Sequence, residues 1–238
     1  MNSLETLQRL VEKPGRDAAK NAGARGYDPK DLESALTFRA AIVKRLFDVA
    51  VALFLLLLFS PLFATVALGV KLSSAGPVFY RQQREGMGGR LFSILKFRSM
   101  RTGGRAPLEA QQLAQASRGL LVKMPGDPRV TTVGRWLRAT SIDELPQLWN
   151  VVRGDMSLVG PRPLIPFMLE AHPEYRQMRA RVRPGITGLW QVRDRSNNTN
   201  AAAMLPHDLE YLSRFGLKQD LSILLRTIPA VLSGRGAF

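Results

Sequence analysis

Between Val49 and Val70 the chain runs for 22 residues without a charge, its only long uncharged stretch. As a straight helix this run would reach about 33 Å, enough for a hydrocarbon core of about 30 Å. It begins too far from the N-terminus for a signal peptide, and no small-residue cleavage site follows it. Four consecutive leucines, Leu55 to Leu58, argue against a buried helix of a soluble protein. Ser60-Pro61 interrupts the run. Pro61 has no N–H to donate and crowds the carbonyl of Leu57, which in hydrocarbon finds no water. The Ser60 hydroxyl is placed to return to a carbonyl one turn back. Basic residues flank both ends, Lys44 and Arg45 before the run and Lys71, Arg81 and Arg84 after it. Positive charge marks one side of a membrane, so both ends claim the same side. The pattern predicts a helix-break-helix that enters a leaflet and returns, with a kinked single span as the alternative.

Around this segment the polarity pattern divides the chain. Residues 1–38 are polar and mixed in charge and read as a peripheral extension; the membrane unit covers 39–72 and the remainder, 73–238, one further domain. Alternation predicts two strands near 78–83 and 91–97, joined by a turn containing Gly86, Gly88 and Gly89. No strand-then-helix context supports a phosphate loop there. Residues 103–119 read as a loop and short helix, and helices are expected near 131–139, 173–182 and 206–214. "RPGITGLWQV" reads as a turn and extended segment. Between these, Ser141 and Glu144 fit a capping box, but Pro146 would then stand inside the helix. With Asp143 as N-cap, Pro146 falls at the third helical position, so a helix is expected from about Asp143 to Arg153. The last stripe, Leu217, Leu221, Leu224, Leu225, Ile228 and Val231, has helical spacing and is assigned to the core, with a membrane surface as the alternative.

Charge sharpens this outline. The chain of 238 residues carries a net +15. Residues 1–43 hold seven Lys/Arg against six Asp/Glu, but 71–138 hold thirteen against three. A basic block just after an apolar run suits an anionic membrane surface or an anionic substrate. It lacks a nucleic-acid motif, so no nucleic-acid partner is expected. Absence of cysteine excludes disulfides, zinc-thiolate sites and thiol nucleophiles. Two histidines, His172 and His207, stand in unrelated contexts and suit neither a His-rich metal site nor a Ser/His triad.

Reactive groups therefore reduce to carboxylates, hydroxyls and lysines. Asp143-Glu144 is the one adjacent acidic pair in the chain and lies among Arg129, Arg135, Arg138, Arg153 and Arg162. At a helix N-terminus, open N–H groups and the dipole favour phosphate nearby. Capping plus surface ion pairing is the other reading of the pair. An aspartate, ordinarily titrating near ~3.9, needs no general base to be a nucleophile at pH 7. Its repulsion from an anionic substrate would need a divalent cation and arginines to offset it.

"SIDELPQLWNVVRGDMSLVGPRP" and "RPGITGLWQV", preceded by "KRLFDV", Ser60-Pro61 and "LKFRSM", strongly resemble the bacterial sugar transferases over about residues 40–234. These are monotopic polyprenol-phosphate phosphoglycosyl transferases. The resemblance implies a mixed α/β, mostly helical monotopic membrane protein. It would have a re-entrant broken helix hairpin and a cytosolic catalytic domain with a small β-hairpin, on the cytoplasmic face of the bacterial inner membrane. Membrane lipids, a UDP-sugar and undecaprenyl phosphate are the implied partners, and a homo-oligomer stays open. It further implies that Asp143 attacks the β-phosphate, expels UMP and holds the phosphosugar until the lipid phosphate takes it. Glu144 would bind Mg²⁺. Lys96, Arg138, Arg162, Arg183 and, from "GLWQV", Gln191 would bind phosphates or the substrate; Asp155 would be a structural cap or a second metal ligand. Trp190 inclines the expectation towards hexose-1-phosphate, while "RDRSNN" departs from the family's frequent "SGR"-like run. Direct displacement with Asp143 as general base, and a non-catalytic membrane-anchored scaffold, are the competing readings.

Overall fold

The computed structural model describes residues 38–102, 127–170, 173–194 and 201–233. The polar extension, the loop expected over 103–119 and His172 lie outside the described residues. Helix α1, Phe38–Leu58, and helix α2, Ser60–Ser73, are bent 63° apart at the Ser60-Pro61 break. Pro61 stands in the first turn of α2, where its missing N–H costs little. Ser60 Oγ donates to the Leu57 carbonyl at 2.8 Å, the return bond its sequence position predicts. Among the described residues no single helix is long and apolar enough to cross a membrane, but this bent pair passes by length and composition together.

Helix α1 is inverted relative to a helix of a soluble protein. Lys44, Asp48 and Ala52, spaced four apart on α1, are buried, while Leu46, Leu53, Phe54 and Leu57, and Leu68 of α2, are exposed. The buried charges are paired. Lys44 Nζ lies 2.5 Å from Asp220 and 3.5 Å from Asp48. Asp48 in turn accepts from Ser157 Oγ at 2.7 Å and Leu158 N–H at 3.3 Å. Tyr211 Oη donates 3.0 Å bonds towards Asp220 and the Val159 carbonyl.

Strands β1, Phe79–Glu85, and β2, Leu91–Phe97, form the expected antiparallel hairpin, in register Phe79↔Phe97 to Glu85↔Leu91. Phe92 and Ile94 point into the main core; Phe97 turns the other way onto Phe63 of α2, ring centroids 5.7 Å apart. Helix α3, Thr132–Ala139, starts where Thr131 Oγ1 accepts from the Gly134 N–H at 2.9 Å. Its Leu137 and Val133 pack on Val66 and Val70 of α2. Helix α4, Gln147–Arg153, ends at Gly154, whose φ of 95° favours glycine. It leads to β3, Ser157–Val159, which pairs in parallel with β4, Gly185–Thr187. Helix α5, Pro173–Arg179, precedes β4; α6, Leu189–Arg193, α7, Leu205–Ser213, and α8, Leu217–Leu232, follow it.

Three expectations are corrected: within "RPGITGLWQV" only Gly185–Thr187 is extended, since Leu189–Arg193 is the helix α6. Helix α4 does not begin at Asp143: residues Ile142–Glu144 form a 3₁₀ turn and Pro146 occupies the N-cap. The bonds Glu144 N–H to Ser141 C=O, Leu148 to Leu145 and Trp149 to Pro146 all span three residues, so Pro146 needs no donor in this tighter winding. Nor does the whole α8 stripe face the core: Leu224 packs against it, but its neighbours in the stripe do not. Leu225 is 68% and Ile228 58% exposed, with Leu221 also exposed. Asp220 and Ile223 are buried instead, and Thr227 bonds Thr187 at 2.8 Å. Asp220 must reach Lys44 and Tyr211, and on that registration Leu221, Leu225 and Ile228 face outward.

Candidate active site

The acidic pair lies on the 3₁₀ turn between α3 and α4, part-buried and open to one side. Two residues earlier, Ser141 is left-handed with φ 57°, the sole non-glycine residue with positive φ among the described residues. Such a conformation costs about 1–3 kcal/mol, and clusters at functional sites. Here it folds the chain back sharply enough to present consecutive carboxylates beside β2.

Cations converge on that turn from separate elements. Lys96, on the same face of β2 as Phe92 and Ile94, puts Nζ 2.7 Å from Glu144 Oε1. Arg162, from the "GPRP" loop, reaches the same oxygen at 3.7 Å. Arg84 of β1 completes the group. Burial and the Arg162 charge lower its pKa to about 10, with Tyr80 and Glu144 acting in the opposite sense. Its Nε is buried without a hydrogen-bond partner. A buried guanidinium with a second one beside it makes a positively charged recess, an arrangement suited to an additional anion. Arg84 was read in the sequence only as a flanking charge; its place on the hairpin opposite Phe92 of β2 was the available signal.

Arg129 and Arg138 lie on the approach to the turn. Arg129 grips Asp127 at 2.6–3.2 Å, and its side-chain bond, aided by the Arg129 and Arg138 charges and opposed by burial, holds the Asp127 carboxyl below the usual range. The "GPRP" loop is fixed from behind. Arg179, fully buried, donates to the Arg162 carbonyl and also bonds Asp208 at 2.8 Å and Tyr175 Oη at 2.6 Å. Glycines close this junction. A Cβ on Gly185 would stand 2.7 Å from Gly160 Cα, with backbone on both sides and nothing able to yield.

Four sequence candidates stand elsewhere. Arg183 donates to the Gly154 carbonyl at 3.0 Å, at the far end of α4 and ~15 Å along the winding from the dyad. Arg45 joins it there, bonding the Val151 and Val152 carbonyls at 2.6 and 3.0 Å, so the two arginines complement the helix C-terminus. Gln191 is buried on α6, donating to the Ile186 carbonyl at 3.0 Å. Trp190 packs in the main core. Asp155 accepts from Asn150 at 3.2 Å and lies 3.5 Å from Arg153.

A family model described as bacterial sugar transferase matches residues 39–234. The chain belongs to that family. This sugar transferase is 41% identical over 231 residues to the exopolysaccharide production protein ExoY of Rhizobium meliloti, covering 94% of this chain and 100% of the relative. It is 45% identical over 206 residues to the UDP-glucose:undecaprenyl-phosphate glucose-1-phosphate transferase of Caulobacter vibrioides, covering 82% and 72%. With the undecaprenyl-phosphate galactose phosphotransferase of Salmonella typhimurium it shares 39% over 201 residues, 82% of this chain and 42% of the relative.

Proposed function

We propose that this sugar transferase moves a sugar-1-phosphate from a UDP-sugar to undecaprenyl phosphate, giving undecaprenyl diphosphate-sugar and UMP. The names of its relatives support the class of reaction. The observation that carries it to particular residues is the Asp143-Glu144 turn facing Lys96 and Arg162. In the first step an Asp143 carboxylate oxygen attacks the phosphorus bearing the sugar. A P–O bond to Asp143 forms, the bond to the bridging oxygen breaks, and UMP leaves with the electron pair. An oxygen of the lipid phosphate then attacks the same phosphorus, the acyl-phosphate bond breaks, and Asp143 regains its charge. Lys96, Arg162 and Arg84 bind and orient the diphosphate and stabilise charge on its oxygens.

Magnesium takes one or two carboxylates together with substrate phosphates and several waters. An adjacent Asp-Glu pair fits that donor set; among the described residues no group of three or more His, Asp or Glu converges. Glu144 would hold the ion, which when bound neutralises diphosphate charge.

The bent α1–α2 pair is placed in one leaflet as a re-entrant hairpin, with the site on the cytoplasmic face. Apolar residues outside and paired charges inside support this on α1. The exposed leucines of α8 extend the lipid-facing surface. The test is turnover by Asp143→Asn protein in detergent or nanodiscs with Mg²⁺ and a panel of UDP-sugars. UMP formation is expected to fall to background while UDP-sugar binding persists. Wild-type protein with the lipid withheld is expected to yield a phosphosugar bound to the peptide containing Asp143. Full activity of Asp143→Asn removes Asp143 from the mechanism.

A further inference from the structure

The two ends of the Lys96–Glu144 contact lie on different elements, 48 residues apart in sequence. Asn150 stands between those elements. It is 1% exposed and lies in α4, six residues beyond Glu144. The three-residue bonds from Ser141 to Trp149 make the dyad turn and the start of α4 one winding. Strand β2 is paired with β1 on one side, and its other edge would otherwise leave buried peptide groups without partners. The Asn150 carboxamide takes the place of a third strand there. Its oxygen accepts the Leu95 N–H at 2.9 Å and its nitrogen donates to the Ser93 carbonyl at 2.8 Å. The second N–H of that nitrogen donates to Asp155 Oδ2 at 3.2 Å. The main-chain carbonyl of Asn150 gathers the N–H groups of Gly154, Asp155 and Met156 at 3.0–3.2 Å.

Resting on the transferase reading above, we infer that Asn150, oriented by Asp155, is the positioning residue that sets Lys96 against Glu144. The chemistry required is one acceptor and two donors in a plane, which only a carboxamide supplies. Aspartate would turn an oxygen towards both the Ser93 carbonyl and Asp155, and an aliphatic residue would strand two peptide groups. Lys96 directly follows the clamped Leu95, so freedom of β2 against α4 passes straight to its ammonium. Asp155 thereby acts through Asn150, by fixing which way the amide faces.

A kinetic double-mutant cycle tests this, with Asn150→Ala, Lys96→Met and the double variant assayed for UMP release. Misplacing a binding group by about 1 Å can cost ~10²-fold, so kcat of Asn150→Ala is expected to fall by about 10- to 100-fold. In the Lys96→Met background the same change is expected to cost less than about two-fold, because non-additivity reports residues that act together. Equal factors in the two backgrounds overturn the inference. Acylation of Lys96, followed by peptide mass spectrometry with exposed Lys218 as internal reference, needs no turnover. It is expected to quicken several-fold in Asn150→Ala; an unchanged rate likewise overturns the inference. Should Asn150→Ala fail to fold, Asp155→Ala, which removes the amide's third partner together with the Arg153 contact, enters the same cycle and labelling, with Arg153→Ala as the control for that contact. Wild-type protein that releases no UMP defeats the transferase reading, and Lys96 labelling then decides the clamp by itself.

Discussion

Replacing Lys44 with methionine removes the one cation that Asp220 and Asp48 share, at 2.5 and 3.5 Å, in a place where all three side chains are at most 7% exposed. Tyr211 and Ser157 still donate to the carboxylates, but their ion-pair partner is gone. Breaking a buried ion pair from one side costs about 3–5 kcal/mol. For a domain of this size each kcal/mol moves Tm by about 2–4 °C, so the melting temperature is expected to drop by ~6–20 °C. The pH dependence has a definite sign. Burial raises the Asp220 carboxyl, and Lys44 is the largest influence holding it down. A raised folded value means that stability is present at low pH and is lost as pH rises through that value. Lys44→Met raises it further, so the deficit should shrink as the pH is lowered and the carboxyl takes up its proton. Thermal unfolding of wild type, Lys44→Met and Lys44→Met/Asp220→Leu in one detergent measures this, the double variant recovering part of the loss because one carboxylate leaves with the cation while Asp48 stays buried without it. A Lys44→Met melting temperature within ~2 °C of wild type at pH 7.5, or a deficit that grows on acidification, refutes the reasoning.

Since the chain has no cysteine, Leu225→Cys gives a single labelling site on the outward face of α8. An environment-sensitive fluorophore there is expected to shift to the blue when the protein is placed in vesicles, and water-like emission with vesicles present removes α8 from the membrane surface. Gly185→Ala forces a Cβ against Gly160 backbone. Overpacking of this kind costs about 1–3 kcal/mol or more; Tm and UMP release are both expected to fall, and wild-type values in both would show that the β3–β4 junction does not hold the "GPRP" loop.

What the sequence determined by itself is what the backbone decides locally. Pro61 lacks a donor, so the apolar run had to break there, and Ser60 lay within reach of Leu57. Alternation over 79–97 defined the hairpin, and Thr131 could cap only the helix that follows it. The adjacent acids were conspicuous because every other acidic residue stands alone. Tertiary structure decided the remainder. A period of 3.6 identifies two faces of α8 without saying which is inner; that choice came from Lys44 and Asp220, 176 residues apart. Capping preferences could not separate a 3₁₀ start from an α start at Asp143, because Pro146 is accommodated without its N–H in either winding. The motif arginines looked alike in one dimension. Arg162 faces the dyad because buried Arg179 holds its carbonyl, while Arg183 is drawn to the opposite end of α4 by the open carbonyl of Gly154. Side-chain placement of this kind depends on partners far away along the chain, and local periodicity carries no record of them.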